Sequence, residues 1–492
     1  MNTDTIADLR VENSFAGLPA SFYTLLPAQP LTDPRLLHAN EQVGALLGLS
    51  AAALRSKDFL DICSGAAPLP GGKSLAAVYS GHQFGVWAGQ LGDGRAHLLG
   101  EIAAPSGAWE LQLKGSGRTP YSRMGDGRAV VRSSVREYLA SEAMAGLDIP
   151  TTRALALVVS DDPVYRETVE TAAIIARVAP SFVRFGSFEH WWNDPQSMQA
   201  LLDYVVDRSY PECRVGAPGD ADARKLTALN FLQAVVGKTA RLIAAWQTVG
   251  FCHGVMNTDN MSILGLTLDY GPYGFMDAFQ ANHICNHTDE QGRYAWNAQP
   301  SVANWNLYRL ANCLMALGLE PEDLKERLRG FEPVFMQEYQ ARMAAKLGWR
   351  QWLPDDETLV DDWWGLLHTQ RADFTLSFRR LAGQDEDSQA FLALFADRPA
   401  AQAWLDRYRQ RLSLETTTAA QRTLRMNRAN PVYVLRNHLA ELAIRAARNG
   451  DSGEIQTLLG LLRDPYTEKP GFEQYAAPAP EWACDLQVSC SS

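Results

Sequence analysis

The sequence predicts an α+β chain of two lobes, a small N-terminal lobe rich in β-strands and a large helical C-terminal lobe. Three observations predict it. Between residues 77 and 186, short alternating runs are separated by glycine-bearing turns. Beyond residue 196, apolar residues recur at three- and four-residue spacing, the mark of packed helices. At 492 residues the chain is long for a single core, so two lobes or a domain with large additions are expected. The expected division is an N-terminal extension (1–76), the strand-rich lobe (77–186), the helical lobe (187–415) and a C-terminal helical extension with a cysteine-bearing tail (416–492).

Residues 1 to about 75, rich in Pro, Leu and Ala, are expected to pack as an irregular, partly helical extension. Gly71-Gly72-Lys73-Ser74 within them is not a P-loop, because Ala67 stands where that motif needs glycine. From Tyr79 a β-hairpin is expected, its arms at Gly81–Gln90 and Ala96–Glu101 and its turn at Asp93-Gly94. A second strand pair crosses Ser106-Gly107 and ends on Lys114. Glycine-arginine clusters follow at Gly115-Ser116-Gly117-Arg118 and Arg123-Met124-Gly125-Asp126-Gly127-Arg128. Such glycines let backbone N–H groups approach phosphate oxygens, and arginines fork onto them.

A helix from about Ala129 to Gly146 carries Glu137 and Glu142, and strands are expected at Thr152–Ser160 and Thr171–Val178. Arg177 and Arg184 stand where the chain crosses between lobes. Helices are expected at 196–207, 224–249, 301–317, 321–345, 358–382, 388–413 and 432–448, with Gly250 ending the second.

Between them lies His253 to Phe279, HGVMNTDNMSILGLTLDYGPYGFMDAF. It resembles the catalytic segment of protein kinases, H-x-D-x-x-x-x-N followed by D-F-G. His253 fits the histidine, Asn260 the asparagine and Asp269-Tyr270-Gly271 the D-F-G, but Val255 occupies the place of the catalytic aspartate. A valine can neither accept a proton nor bind a metal. Two metal-ligand positions are thus kept while the usual base is gone, and Asp259 is the obvious substitute carboxylate. On the same resemblance Lys114 is the nucleotide lysine and Glu137 its ion-pair partner, with Glu142 sterically able to serve instead.

Long motifs in order, SGHQFGVWAGQLGDGRA, ELQLKGSGRTPYSRMGDGRAVVRSSVREYL, HGVMNTDNMSILGLTLDYGPYGF, the RxNP segment at Arg428–Pro431 and the terminal VSCSS, resemble the selenoprotein O family, whose bacterial members are called YdiU. The resemblance implies a protein-kinase-like fold and transfer of AMP from ATP to protein hydroxyls, with the nucleotide reversed relative to kinases. It implies that Gly92, Gly94, Arg95, Lys114, Asp126, Gly127, Arg177 and Arg184 hold ATP, with Asp259 as base. Asn260 and Asp269 would bind Mg²⁺ or Mn²⁺. Conventional phosphoryl transfer is disfavoured by the displaced carboxylate, and a non-catalytic nucleotide-binding pseudokinase by the retained Lys114, Asn260 and Asp269. UMP transfer from UTP with manganese is a variation on the first activity.

A net charge of −11 argues against nucleic acid as the main partner, which leaves ATP and protein substrates modified on Ser, Thr or Tyr. The start MNTDTIADLRVENSF has neither a basic region nor an apolar core, and no run approaches the ~20 apolar residues of a membrane helix. A cytoplasmic monomer without membrane contact is expected. Seven cysteines without a CxxC pair are too sparse for a disulfide scaffold or structural zinc, and His283-Ile284-Cys285-Asn286-His287 has no second ligand pair. Cys490, among serines near the terminus, is expected to be an exposed redox control. Its expected partner is Cys285, which follows the DYG segment and lies within reach of a tether that could span up to ~48 Å. In animal members of the resembled family the position of Cys490 is selenocysteine.

Overall fold

The structure, a computed structural model, describes residues 2–216, 220–486 and 488. Its N-terminal part is built on a ten-stranded antiparallel sheet: β1 (Val11–Glu12), β2 (Tyr23–Leu25), β3 (Arg35–Ala39), β4 (Leu75–Gln83), β5 (Val86–Gly92), β6 (Ala96–Ala104), β7 (Gly107–Lys114), β8 (Ala129–Val130), β9 (Arg153–Tyr165) and β10 (Val169–Ala179). The strand order is β2-β4-β6-β7-β10-β9-β3, with β1 on β6, β5 on β4 and β8 on β10.

Period-two alternation gives this sheet two different faces. Leu111, Leu113, Ile174, Ala176 and Val178 point to one face, where they pack with Val43, Leu54, Phe59 and Ile62 from α1 (Glu41–Leu46), α2 (Ala51–Leu54) and α3 (Lys57–Cys63). Ala173 and Ile175 point to the other, against Val135, Tyr138 and Leu139 of α4 (Val131–Gly146). Gln112 and Lys114 alternate onto this α4 face, and Arg177 lies directly opposite Gln112 in the β7–β10 register. The polar residues of the cleft are therefore placed by the pleat itself.

Helices dominate the remainder: α5 (Phe185–Glu189), α6 (Pro195–Ser209), α7 (Ala221–Thr248), α8 (Gln299–Leu314), α9 (Pro321–Leu328), α10 (Phe331–Lys346), α11 (Asp356–Gln370), α12 (Phe374–Ala382), α13 (Ser388–Leu392), α14 (Arg398–Leu412), α15 (Ala419–Ala429), α16 (Asn437–Arg448) and α17 (Gly453–Leu462). A two-stranded ribbon, β11 (Phe251–Cys252) with β12 (Gly274–Phe275), closes the loop between α7 and α8. Helices α16 and α17 return to pack on α4. There Arg136 donates to Tyr273 O (2.6 Å) and Asn437 Oδ1 (3.1 Å), so α4 is held between the sheet and the C-terminal helices. No helix among the described residues is long and apolar enough to cross a membrane.

Several expectations are corrected. The extension 1–76 is not separate from the sheet: it supplies β1, β2 and β3. These strands have two to five residues and no buried-exposed alternation, which hides them in the sequence. The Asp93-Gly94 segment joins β5 to β6, but β5 pairs with β4 instead, through a turn at Phe84 (φ 50°) and Gly85 (φ 81°). Two consecutive left-handed residues give the type I′ geometry that suits a tight hairpin. Three long expected helices are each broken: at Arg329-Gly330, at Arg371 (φ 50°) followed by the Asp373 cap of α12, and before Pro399, where Asp397 caps α14.

Candidate active site

Four charged side chains meet under the sheet. Lys114 Nζ donates to Glu137 Oε2 (2.6 Å) and to Asp269 Oδ1. Arg177 donates to Glu137 Oε1 (2.9 Å) and to Asp269 Oδ1 (3.1 Å), while Gln112 Oε1 accepts from its other nitrogens at 3.0 and 2.7 Å. Two cations thus face two carboxylates, the balance that permits charge to be buried. Burial opposes ionisation of Asp269, but Lys114 and Arg177 outweigh it and hold this carboxyl well below its ordinary range, with Arg95 adding to the effect. Of the two glutamates on α4, Glu137 meets Lys114; Glu142 is bound by Arg153 at 2.7 and 2.9 Å.

Beside this cluster runs the loop that follows α7. Asp259 is buried, its Oδ2 accepts from Gln83 Nε2 at 3.2 Å, and its Oδ1 has no hydrogen-bond partner among the described residues. Burial pushes this carboxyl up to about 6, against the pull of Arg184 and Gln83. Asn260 donates through Nδ2 to Val255 O (3.0 Å), which fixes the direction of its amide oxygen. His253 is buried against Trp246 and accepts from the Val255 N–H (3.3 Å); burial pushes its pKa down to about 4.

The end of β4 pins this loop. The His82 N–H donates to Thr258 Oγ1 (2.7 Å), Thr258 donates to Glu189, and His82 Nδ1 stands 2.6 Å from Glu189 Oε1. A Cβ at Gly81 would come within 2.9 Å of Thr258 Oγ1, and one at Gly186 would overlap the Ser80 carbonyl, so both glycines allow the close approach. Gln83, His82, Thr258 and Glu189 are contributors that sequence reasoning missed. His82 and Gln83 lie inside a quoted motif, but their role depends on contacts across more than 100 residues.

The glycine-arginine clusters are differently placed. A side chain at Gly92 would collide with the Tyr121 ring and one at Gly94 with the Tyr121 carbonyl, so residues 119–122 rest on the β5–β6 turn. Gly127 packs on Gly117, accepting its N–H at 3.0 Å. Asp126 is taken by Arg166 (2.7 and 3.0 Å), and Arg128 by the carbonyls of Gln29 and Pro30 (2.8 and 2.9 Å). Asp126 and Gly127 therefore shape the loop, whereas Arg95 is the cation of this region that acts on Asp269.

The two inter-lobe arginines also differ. Arg184 stacks on Tyr79 (4.5 Å), donates to Asp259 O (3.0 Å) and has its closest carboxylate, Asp93, at 3.8 Å. Arg177 is fully committed to Gln112, Glu137 and Asp269. Arg184→Ala is accordingly expected to weaken ATP binding roughly ten- to a hundredfold by calorimetry. Arg177→Ala should also destabilise the fold, by about 3–5 kcal/mol in denaturant unfolding, because two buried carboxylates lose a partner. Equal, negligible effects on ATP at both sites would remove the arginines from nucleotide binding.

No group of three or more His, Cys, Asp or Glu that could hold a metal ion occurs among the described residues, the His283–His287 run included. A cation held partly by phosphate oxygens needs fewer protein ligands. Asp269 suits that role: its Oδ1 carries Lys114 and Arg177, while its Oδ2 has no hydrogen bond among the described residues. Cys285 departs from expectation. Its thiol is packed against Pro272 O (2.9 Å) and Cys252 Sγ (3.2 Å), and burial pushes its pKa well above the ordinary value, so it is not a readily ionised surface thiol. Cys490 lies outside the described residues.

Known proteins are similar to this chain in sequence. A sequence model of the family described as protein adenylyltransferase SelO matches residues 5–463. The chain is 65% identical over 497 residues to the protein nucleotidyltransferase YdiU of Bordetella petrii, covering 100% of both chains. It is 64% identical over 490 residues to that of Bordetella parapertussis, covering 99% of each. To that of Dechloromonas aromatica it is 53% identical over 493 residues, covering 98% of this chain and 97% of the relative.

Proposed function

The chain belongs to the SelO protein adenylyltransferase family and is a nucleotidyltransferase, and from this premise we propose that it transfers AMP from ATP to Ser, Thr or Tyr hydroxyls of proteins. Pyrophosphate is the leaving group, and ATP lies reversed relative to its orientation in protein kinases, within a kinase-like pair of lobes. The observation that carries this proposal is Asp259, a buried carboxylate with one unpartnered oxygen beside the Lys114–Asp269 cluster, in a loop whose usual base position is Val255.

The cleft under the sheet supports the reversed orientation. Its inner end is lined by Phe15, Leu98, Phe182 and Val183 together with Tyr79, Gln112 and the carboxylates Asp93 and Glu110, and among the described residues Arg184 is the one cation of this lining able to fork onto a terminal phosphate. With the terminal phosphates there, the α-phosphate comes towards the Asp259–Asp269 region. Asp259 takes the proton of the acceptor hydroxyl as its oxygen attacks the α-phosphorus, and the bond from that phosphorus to the bridging oxygen of pyrophosphate breaks. Lys114 and Arg177 supply fixed positive charge for the phosphate oxygens. A divalent cation, Mg²⁺ or Mn²⁺, bound through Asn260 and Asp269 would neutralise charge on those oxygens.

Product analysis tests this reaction. One pyrophosphate should form for each acceptor hydroxyl modified, and the acceptor should gain the mass of an adenylyl group. ADP formed in step with an acceptor that gains only a phosphoryl group would contradict it.

A further inference from the structure

We infer that the surface formed by the β4–β5 turn and α8 seats the acceptor polypeptide and selects hydroxyls flanked by acidic residues, an inference that rests on the AMP-transfer activity proposed above. Two arginines carry it. Arg293 and Arg309 both stack on the indole of Trp305, with Cζ 4.7 and 4.9 Å from the ring centre. The edge of His82 meets the same ring at 5.4 Å. Neither guanidinium forms an ion pair among the described residues, and the Nε of each is buried without a hydrogen-bond partner. The carboxylates on this wall are already engaged: Glu189 by His82 and Thr258, and Asp289 by the N–H groups of Arg293 and Tyr294 (3.0 and 2.7 Å).

Several buried arginines of the chain are paired with carboxylates, Arg411 with Asp356 and Arg436 with Asp373, while Arg136 bonds to Tyr273 O and Asn437. What sets Arg293 and Arg309 apart is that two half-buried guanidiniums without an ion pair among the described residues share one indole, in a chain whose net charge is −11. Cation–π contact orients them but leaves their charge uncompensated, so a carboxylate presented from outside would meet two oriented forks.

Their position ties them to the acceptor side of the chemistry. A Cβ at Gly85 would lie within 2.9 Å of Arg293 Cζ, and two residues earlier Gln83 holds Asp259 Oδ2. One short turn therefore touches both the arginine pair and the base. Beside it opens a cleft of about 290 Å³ that includes Arg309 and is rimmed by Trp87 and Trp192, which are 45% and 57% exposed. Arg309 in this cleft, where the carboxylate Glu189 is already held by His82 and Thr258, with Arg293 beside it on the Trp305 ring and an aromatic rim, fits a short acidic segment of a protein chain. The overall negative charge disfavours nucleic acid as the occupant.

The test uses the full chain and synthetic peptides with one Ser, Thr or Tyr flanked on both sides by Glu, by Gln or by Lys. Fluorescence anisotropy reads peptide binding, and incorporation from α-labelled ATP reads transfer. Glu-flanked peptides should bind at least about tenfold more tightly than Gln-flanked ones. The Arg293→Gln/Arg309→Gln variant should lose that preference, Arg293→Lys/Arg309→Lys should keep much of it, and Arg293→Glu/Arg309→Glu should turn it towards Lys-flanked peptides. A structural role alone would not reverse the sign of the preference. Equal binding of all three flanks, a Glu preference surviving in the double-Gln variant, or a loss of ATP affinity as large as the loss of peptide affinity would overturn the inference. Selective peptide binding without any α-label in peptide or protein would instead contradict AMP transfer and leave the acidic docking surface standing.

Discussion

Asp269→Ala is expected to reduce nucleotide transfer by more than about a thousandfold, the scale on which removal of a charge-stabilising group acts at its upper end, compounded here by the loss of the proposed metal ligand. One oxygen of Asp269 accepts from both Lys114 and Arg177, and the other, without a hydrogen bond among the described residues, is the proposed cation ligand. Alanine removes both roles at once. Loss of one carboxylate facing two cations should destabilise the variant, as at Arg177, but Lys114 and Arg177 keep Glu137 as a partner, so it should remain folded, with a cooperative melt and a near-native circular dichroism spectrum. Asp269→Asn retains an oxygen ligand without the charge and should fall between the two. A rate within tenfold of the parent in Asp269→Ala, or full activity in EDTA, would show that the cluster is a structural ion network with no part in transfer.

Asp259→Ala should lower the transfer rate by about 10²–10⁴, the usual contribution of a positioned general base, while ATP affinity stays close to that of the parent. The expectation of an intact site follows from the way the loop is held. Arg184 grips the backbone carbonyl of Asp259, the His82 N–H anchors the preceding residue, Thr258, and Gln83 alone among the described residues hydrogen-bonds the Asp259 side chain. Truncating the carboxylate therefore removes the proposed proton acceptor without releasing the loop. A near-parental rate would assign Asp259 a structural role and place the base elsewhere.

Much of the site was legible because its residues obey short periods. The alternation of β7 ended on Lys114, and the helix that followed offered Glu137 or Glu142 as its partner; that Gln112 and Arg177 share the face of Lys114 depends on the β7–β10 register. The spacing of His253, Asn260 and Asp269 singled out the loop that approaches the cluster. What the sequence concealed depends on distance along the chain or on the absence of a pattern. The strands β1 to β3 are too short to show alternation. The β4–β5 pairing turns on Phe84 adopting a left-handed conformation that its identity does not advertise. The grip of His82 and Gln83 on the loop, and of α16 and α17 on α4, joins segments that no local rule connects. Helix α15 was hidden beside the RxNP segment, and α17 by the glycine that opens it.

The phosphorus that moves tests the central claim most directly. Incubation with ATP labelled at the α or the γ phosphate, followed by separation of the proteins and autoradiography, distinguishes the two chemistries in one experiment. AMP transfer by way of Asp259 predicts label in protein from α-labelled ATP and almost none from γ-labelled ATP, whose label should appear in pyrophosphate. Label entering protein from the γ position, with none from the α position, would contradict the account and restore phosphoryl transfer.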